Sequence, residues 1–528
     1  MRSSYLILLI LCCSLRMQAQ FMTEFKADGE DVILNAAQMM GSDILTVGNS
    51  GNKVLFVRFS LSGAVIDYKV FTVVDETLLP YISSMIIDSD GNIVAAGHRS
   101  TGSEHETTAF VFKYDYNTGT VLWMKLFDNS GSNFIKVIEK KAGGPYIVCG
   151  HSYNATNAEE AIIYSVNRNT GAFTLLNNSN ENGSSETCYS IIRADGAYFT
   201  TNRVNYSGGG FGRMRGCLSK FSMTGTEIFT KAYLRNTTTD IARLYSVDLA
   251  YANNSIYFTV HGDEFTTGQN KDLFIMKAKT DGELSWAKKY DLTNYDSDGS
   301  WRAIRVKGQN VYVFGNLYNL GTGNMFLMKL DTTGAVVWAN SYNSLGNKST
   351  APDDLLIYGS NLIMTGYVHA DDSPYTNGTL VLVKASNGTL PDGCSTAEPI
   401  TISSKTTTTY LNTLAPVTHT FSITNPEHLT SDISWTTEQS CSNFMKFENI
   451  TPEITIQPNP TSGNTSLKLD GEQYQIRIYN TSGQLITTEE TNEPVFEIGS
   501  SVFAPGIYFI HLKNLQTGNS RSLMFTKN

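Results

Sequence analysis

Seven polar residues recur at one position of a repeated strand, and they are the best candidates for a binding site. Most of them follow or adjoin a glycine at the end of an apolar run, as in VAAGH and YIVCGH. The seven are Asn49, His98, His151, Asn202, His261, Asn316 and Tyr367. Three imidazoles on one ring could ligate a metal if they came close together. The favoured alternative is that polar residues end strands where these meet solvent, so no metal or cofactor is predicted.

Other signs of chemistry are weak. Residues 88–92 and 296–300 resemble fragments of calcium-binding loops but lack the distal glutamate of a full loop, and a hairpin turn explains the first of them. The sequence contains no nucleophile elbow of the Gly-x-Ser-x-Gly type, no His-Glu-x-x-His and no phosphate-binding glycine loop. Carboxylates in separate repeats cannot be recognised by their spacing, so a hydrolase stays open.

The seven candidate binding residues belong to a repeated unit, which is built around a hairpin. The stretch FLMKLDTTGAVVWANSY (326–342) has two apolar runs around a glycine turn, and it recurs at intervals of 52 to 57 residues. The turn glycines are Gly63, Gly119, Gly171, Gly225, Gly282, Gly334 and Gly388. A second hairpin precedes each copy, so every unit holds four strands. Stacking such units radially hides both their faces and their edges. The sequence therefore predicts an all-β fold, a seven-bladed β-propeller.

The two ends of the repeat region predict how the ring closes. The last copy lacks a fourth strand after Gly388, whereas FMTEFKAD (21–28) has the aromatic spacing of that strand. We therefore expect the amino-terminal strand to complete the last blade, giving a propeller over residues 20–393.

The amino-terminal residues predict export. Residues 1–19 combine Arg2, an apolar run and a plausible cleavage site, as in a secretory signal peptide. The run is too short to span a bilayer, and no later segment is predicted to do so. Removal of Arg2 and Arg16 would change the net charge from −10 to −12. An acidic surface repels phosphate, so nucleic acid is not an expected partner.

Five cysteines remain after cleavage, which leaves at least one without a partner inside the chain. Cys394 and Cys441 flank one segment and are the best candidates for a disulfide, although connectivity cannot be read from sequence. The Thr- and Ser-rich residues 394–448 between propeller and carboxyl end form either a linker or a small β module.

Residues 449–528 form a separate carboxyl-terminal domain. They contain about seven short strands separated by turn signals, which predicts a small Ig-like β-sandwich after the propeller.

This domain closely resembles the type A C-terminal sorting domain of the type IX secretion system in Bacteroidota. The matching residues are Pro458, Asn459, Pro460, Gly463, Tyr479, Asn480, Gly483, Gln484, Gly506, Tyr508 and Lys527. The resemblance implies that residues 449–528 engage the type IX secretion machinery after periplasmic transit. It also implies a secreted protein, at the outer cell surface or in the extracellular medium. The repeats resemble those of secreted bacterial propellers, which is informative for fold and weak for function.

Three functions are compatible with this organisation. The leading interpretation is a non-catalytic binding or adhesion module for an unknown extracellular ligand, which would be a glycan, a peptide or a surface component. The alternative is a secreted enzyme, a hydrolase or lyase, that acts on an extracellular polymer at the loop face. A purely structural surface protein is the third.

Overall fold

The computed structural model describes most of the chain between residues 21 and 528. The described ranges are 21–27, 32–73, 79–100, 107–128, 131–153, 159–180, 186–206, 213–235, 243–263, 271–292, 297–319, 322–342, 349–368, 379–385, 395–397, 400–404, 407–412, 415–416, 422–424, 428–430, 435–442, 455–457, 461, 464–469, 473–480, 484–493, 495–499, 503–515 and 520–528. All regular elements within these ranges are strands. They divide into two compact units, Met1–Asn443 and Phe444–Asn528.

The first unit is a seven-bladed β-propeller, as the repeat predicts. Blade 1 holds β2 (Val32–Met40), β3 (Asp43–Ser50), β4 (Lys53–Phe59) and β5 (Val65–Val73). Blade 2 holds β6 (Leu79–Ile87), β7 (Ile93–Ser100), β8 (Thr107–Asp115) and β9 (Thr120–Asp128). Blade 3 holds β10 (Asn133–Glu139), β11 (Tyr146–Tyr153), β12 (Glu159–Val166) and β13 (Phe173–Asn180). Blade 4 holds β14 (Glu186–Ala194), β15 (Ala197–Tyr206), β16 (Arg213–Ser222) and β17 (Glu227–Arg235).

The remaining blades repeat this order. Blade 5 holds β18 (Arg243–Ala252), β19 (Ser255–Asp263), β20 (Lys271–Lys279) and β21 (Leu284–Leu292). Blade 6 holds β22 (Ser297–Lys307), β23 (Asn310–Asn319), β24 (Thr322–Asp331) and β25 (Val336–Tyr342). Blade 7 holds β26 (Thr350–Tyr358), β27 (Asn361–Val368), β28 (Thr379–Ala385) and, as its fourth strand, the amino-terminal β1 (Phe21–Ala27). β1 pairs antiparallel with β28, from Phe21 opposite Lys384 to Phe25 opposite Leu380.

Apolar clusters close the ring. Each of the seven contacts between neighbouring blades is filled by its own cluster of buried side chains. The cluster between blades 7 and 1 joins Leu356 and Ile363 to Val32, Leu55 and their neighbours. Since each blade buries both faces against its neighbours, burial of apolar area stabilises the ring only when all blades are present.

The turn glycines of the repeat have a backbone reason. Gly63, Gly119, Gly171, Gly225, Gly282 and Gly334 all have positive φ, between 70° and 89°. Only glycine adopts this conformation without steric cost, so the residue recurs wherever the third strand turns into the fourth.

Seven short strands between Ser395 and Ser442 form a belt along the outer edges of the propeller blades. These strands are β29 (Ser395–Ala397), β30 (Ile400–Ser404), β31 (Thr407–Asn412), β32 (Ala415–Pro416), β33 (Ser422–Thr424), β34 (His428–Thr430) and β35 (Trp435–Ser442). They pair in turn with the outermost strands of blades 6, 5, 4, 3, 2, 1 and 7. Every blade therefore has a fifth strand. The blades follow one another in chain order from 1 to 7, whereas the belt strands pair with them in the reverse order.

The second unit has two small antiparallel sheets, which gives the β-sandwich that the sequence predicts. One sheet has the order β36–β37–β40 and the other β39–β38–β41–β42. The strands are β36 (Thr455–Gln457), β37 (Thr465–Lys468), β38 (Tyr474–Asn480), β39 (Leu485–Thr491), β40 (Val495–Ile498), β41 (Gly506–Asn514) and β42 (Ser520–Lys527). Eleven buried apolar side chains, including Ile476, Ile510 and Phe525, form a single core from both sheets.

Candidate functional site at the mouth of the central channel

The innermost strand of every blade carries a β-bulge at the same level. The strand register shifts there in all seven blades. The residues at the bulge are Asn35, Ser83, Ile135, Tyr189, Val247, Arg302 and Asp353, and in blade 5 Asp248 belongs to it as well. A bulge inserts an extra residue and redirects side chains, and such irregularities are frequent beside functional sites.

The bulges explain the glycines of the second strands. A Cβ on Gly97 would lie 2.0 Å from the carbonyl oxygen of Tyr81, and a Cβ on Gly150 would lie 1.9 Å from that of Asn133. The same clash would arise at Gly48 and Gly366. Because the bulged strand approaches so closely, only a residue without a side chain fits opposite it.

The seven innermost strands enclose a central channel with a cavity of about 850 Å³. All seven bulges contribute to its wall, and the wall combines apolar residues with charged and amide side chains. A cavity of this size, with polar groups set among apolar ones, is typical of small-molecule sites.

One level of the channel wall is occupied by a structural network. In three places a side-chain oxygen of one blade accepts a hydrogen bond from a backbone N–H of the next blade. Ser84 Oγ accepts from Val137 N–H at 3.3 Å, and Asp248 Oδ2 accepts from Ile304 N–H at 3.1 Å. Asp354 Oδ2 accepts from Ala37 N–H at 3.2 Å.

Arg305 of blade 6 completes this network. Its Nη1 donates to Asp248 Oδ2 at 2.6 Å, and its Nη2 donates to Asp354 Oδ1 at 2.7 Å. Burial raises the pKa of Asp248, but Lys136, Arg305 and hydrogen bonds outweigh it and hold the pKa below its ordinary value. These groups are fully engaged with one another, so we assign them to the fold.

The structure places the predicted polar ring on the second strands, one residue outside the bulge-facing glycines. Asn49, His98, His151, Asn316 and Tyr367 pair with equivalent residues of the innermost strands. His261 has the equivalent backbone register, and its side chain lies outside the described part.

Blade 4 departs from the predicted ring by one residue. Asn202 pairs with Cys188, which is the register of the glycines, and its amide donates to Ser219 Oγ at 3.0 Å. Arg203 pairs with Thr187 and so stands where the other blades have their polar residue. Comparison of the repeats did not predict this shift, because blade 4 has Thr201 where most other blades have the glycine that precedes the ring residue.

The structure brings two ring residues together, His98 of blade 2 and His151 of blade 3. Burial lowers the pKa of His98, and a side-chain hydrogen bond with Asn133 opposes this shift. Burial also lowers the pKa of His151, to about 4; Glu159 opposes the shift, whereas Arg203 and His98 add to it. Both imidazoles are therefore neutral at neutral pH and offer one donor and one acceptor nitrogen each.

Several buried polar atoms of this pair and of the channel wall have no hydrogen-bond partner among the described residues. They are His98 Nδ1, His151 Nδ1 and, in blade 1, both side-chain polar atoms of Asn35. Asn35 is only 7% exposed and lines the channel cavity. A buried polar atom without a partner costs free energy, about 1–3 kcal/mol each, unless water or a ligand satisfies it.

Tyr81 of blade 2 lies beside His98 and lines the channel cavity. Tyr81 is 36% exposed, and its ring lies 5.2 Å from that of His98. Burial of its hydroxyl raises the pKa of Tyr81; the Asp353 charge raises it further, and Arg302 opposes this. Burial likewise raises the pKa of Asp353 to about 8. The Arg302 charge opposes this shift, and the Asp354 charge adds to it. Side chains of blades 2, 6 and 7 thus face one region.

Sequence reasoning missed Asn35, Tyr81, Arg302 and Asp353. A signal was present, because the glycine of each second strand marks a close approach by the first strand. The residue opposite that glycine and its neighbours were therefore channel candidates.

The remaining sequence candidates are placed as follows. Asp88 Oδ1 accepts N–H bonds from Asp90 and Asn92, both at 2.9 Å, and Oδ2 lies 3.0 Å from Lys113 Nζ. The carboxylate is thus used by its own turn and by the neighbouring strand. Asp296 and Cys394 lie outside the described residues, as does the side chain of Cys441.

The sorting motif converges in the second unit. Asn480 pairs with Tyr508, whose hydroxyl donates to the Ala504 carbonyl at 2.8 Å. Gln484 N–H donates to Asn480 Oδ1 at 2.9 Å. Lys527 pairs with Gly506 and bridges to Thr461. Pro458, Asn459, Pro460, Gly463 and Gly483 lie outside the described residues.

Residues 455–525 match the family model of the secretion system C-terminal sorting domain. No curated protein sequence matches the chain.

Among solved structures the chain is similar to a polysaccharide lyase, with 10% identity, a TM-score of 0.44 and coverage of 67% of this chain and 90% of the other. It is similar to an α-L-arabinofuranosidase of Fusarium graminearum, with 9% identity, a TM-score of 0.38 and coverage of 59% and 94%. It is also similar to PorZ, a surface component of the type IX secretion system of Porphyromonas gingivalis, with 9% identity, a TM-score of 0.20 and coverage of 96% and 100%.

Within the described ranges, no helix is long and apolar enough to cross a membrane. The sorting domain directs the chain to the cell surface or the extracellular space. The protein is therefore an exported seven-bladed β-propeller that carries a type IX secretion sorting domain at its carboxyl end.

Proposed function

We propose that this exported propeller binds an extracellular glycan at the mouth of its central channel, without modifying it. The observation that carries the proposal is the set of unpartnered polar atoms around the cavity, above all the amide of Asn35.

The chemistry of these atoms favours a polyhydroxyl ligand. Asn35 Nδ2 needs an acceptor and Asn35 Oδ1 needs a donor, and the Asn133 amide lines the same cavity. A sugar hydroxyl both donates and accepts, so a row of them satisfies such a mixed set. An apolar ligand would displace water and leave these atoms without partners, which costs affinity.

Tyr81 supplies the apolar part of the site. Its ring is partly exposed beside His98 and offers a flat face to the C–H face of a sugar ring. Arg302 and Asp353 add one fixed charge and one carboxyl group that accepts or donates hydrogen bonds. A polyanion such as nucleic acid is disfavoured by the net charge of −10.

The test is a glycan array probed with the full-length chain, followed by titration calorimetry on the best ligand. Replacement of Tyr81 by alanine is expected to weaken binding at least tenfold, as is replacement of Asn35 by alanine. Tyr358 has the same exposed fraction, 36%, and is absent from the cavity wall, so Tyr358→Ala is the matched control. Equal binding by all three variants would exclude the channel mouth.

A second candidate function, cleavage of an extracellular polymer, is favoured by one observation. The carboxyl of Asp353, with its pKa near 8, is held protonated at neutral pH beside Arg302 and Tyr81, and a protonated carboxyl is a proton donor. Asp353→Asn separates the two functions. A binding module keeps most of its affinity in this variant, whereas an enzyme loses release of reducing ends while still binding polymer.

A further inference from the structure

Two buried cysteines face each other between blades 3 and 4. Cys149 lies in β11 and Cys188 in β14, and their exposed fractions are 0% and 1%. Cys149 Sγ lies 4.0 Å from the carbonyl oxygen of Cys188. Both belong to the apolar cluster that holds the two blades together, with Ile147, Ile163 and Ile191 among its other members.

The electrostatics of the pair agree with this geometry. Burial raises the pKa of the Cys188 thiol, and the neighbouring Cys149 thiol raises it further. The two side chains are therefore close enough to interact directly. Both are thiols in this structure.

We propose that Cys149 and Cys188 form a disulfide in the exported protein, which covalently joins blades 3 and 4. The sorting domain sends the chain through the periplasm, where disulfides form and persist. One Sγ–Sγ bond forms and both S–H bonds break. The two electrons and two protons pass to the disulfide of a thiol–disulfide exchange partner, which leaves as a dithiol.

Burial sets the order of events. The attacking species is a thiolate, and inside the closed interface both thiols are inaccessible and hard to ionise. The bond therefore forms while blades 3 and 4 are still docking. Once formed, it is shielded from reductants.

A cysteine outside the pair provides an internal control. With Cys149 and Cys188 joined, three of the five mature cysteines remain, namely Cys217, Cys394 and Cys441. Cys217 is fully buried in a different cluster, with Val204 and Ala232. It has no place in this bond and serves as the internal control.

Peptide mapping of the full-length exported chain tests the proposal. The protein is denatured without reductant, free thiols are alkylated, and trypsin is added. Cleavage after Lys141, Arg168 and Arg193 places Cys149 in peptide 142–168 and Cys188 in peptide 169–193, while Cys217 falls in 216–220. We expect peptides 142–168 and 169–193 to be linked until reductant is added. Alkylation of both Cys149 and Cys188 without reduction overturns the proposal.

Stability measurements distinguish a bond from packing. Cys149→Ala and Cys188→Ala should each lower the melting temperature by about 3 °C, and the double variant should lower it little further, because one bond is lost in all three. Reductant present during folding should lower the wild-type value and leave these variants unchanged. Cys217→Ala should keep the linked peptides. Additive losses that do not respond to reductant would mean packing only and overturn the proposal.

Discussion

Asp354 Oδ2 of blade 7 accepts a 3.2 Å hydrogen bond from the backbone N–H of Ala37 in blade 1, 317 residues earlier in the chain. The same carboxylate pairs with Arg305, which also pairs with Asp248 of blade 5. The first and last blades are thus joined at the channel wall by polar groups as well as by the apolar cluster behind it.

Arg305→Met should destabilise the propeller by roughly 1–3 kcal/mol, because it removes the cation that is hydrogen-bonded to the buried Asp248 carboxylate and leaves only Lys136 nearby. Denaturant unfolding of the full chain measures this. Lys279→Met, which breaks an exposed pair with Glu283, should have no measurable effect. Equal stability of the Arg305 and Lys279 variants would show that the channel network contributes nothing.

Asp353→Asn should stabilise the protein, and the gain should grow with pH. The folded chain holds this proton up to about pH 8, whereas the unfolded chain releases it near 3.8. Between these values the folded state binds more protons, so wild-type stability falls as pH rises. Melting curves of both proteins from pH 4 to 9 give the difference. A gain that is constant over this range would contradict the assigned environment.

His151→Gln should have the opposite pH dependence. Below pH 6.5 the unfolded chain protonates this imidazole, while the folded chain resists until about pH 4. Wild-type stability therefore falls as pH decreases through this window, and the variant should lose less. The melting temperatures of the wild type and of His151→Gln, measured at pH 7 and pH 4.5, test this expectation. If both proteins lose equally, His151 is not held neutral.

The belt should protect the outer edges of the blades. β31 pairs with β17 from Thr407 opposite Arg235 to Asn412 opposite Thr230. The backbone N–H groups of successive residues in β31 point to opposite edges of the strand, so either Tyr410 or Leu411 donates to β17. Proline has no N–H, so one of the two variants Tyr410→Pro and Leu411→Pro must lose a hydrogen bond to β17. Hydrogen exchange should accelerate at residues 230–235 in that variant and stay unchanged in blade 1. Unchanged exchange at β17 in both variants would contradict the pairing.

The propeller was predictable because its information is local and repeated. Each blade carries its own turn glycine, such as Gly119 or Gly282, and seven copies at one spacing leave few architectures. The carboxyl-terminal sandwich was predictable for a similar reason, since its strands are separated by clear turn signals.

The belt was not predictable from residues 395–442. Its strands are two to eight residues long, and their partners are the edges of strands up to about 420 residues away in sequence, as with Met22 and Cys441. Strands this short hold too few residues for a periodic apolar pattern to be recognised in the sequence.

The positions of the predicted ring residues in the fold were predictable only in part. The ring position was readable from the glycines, but which members meet depends on the circular order and register of the blades. Hence His98 and His151 come together, Arg203 replaces Asn202, and Asp353 joins Tyr81 from another blade.

The most direct measurement is a crystal structure of the protein with the best ligand from the glycan array. We expect a sugar ring against Tyr81, with hydroxyl groups bonded to Asn35 and Asn133. A ligand seated on the belt or on the outer strands, with the channel mouth occupied only by water, would contradict it.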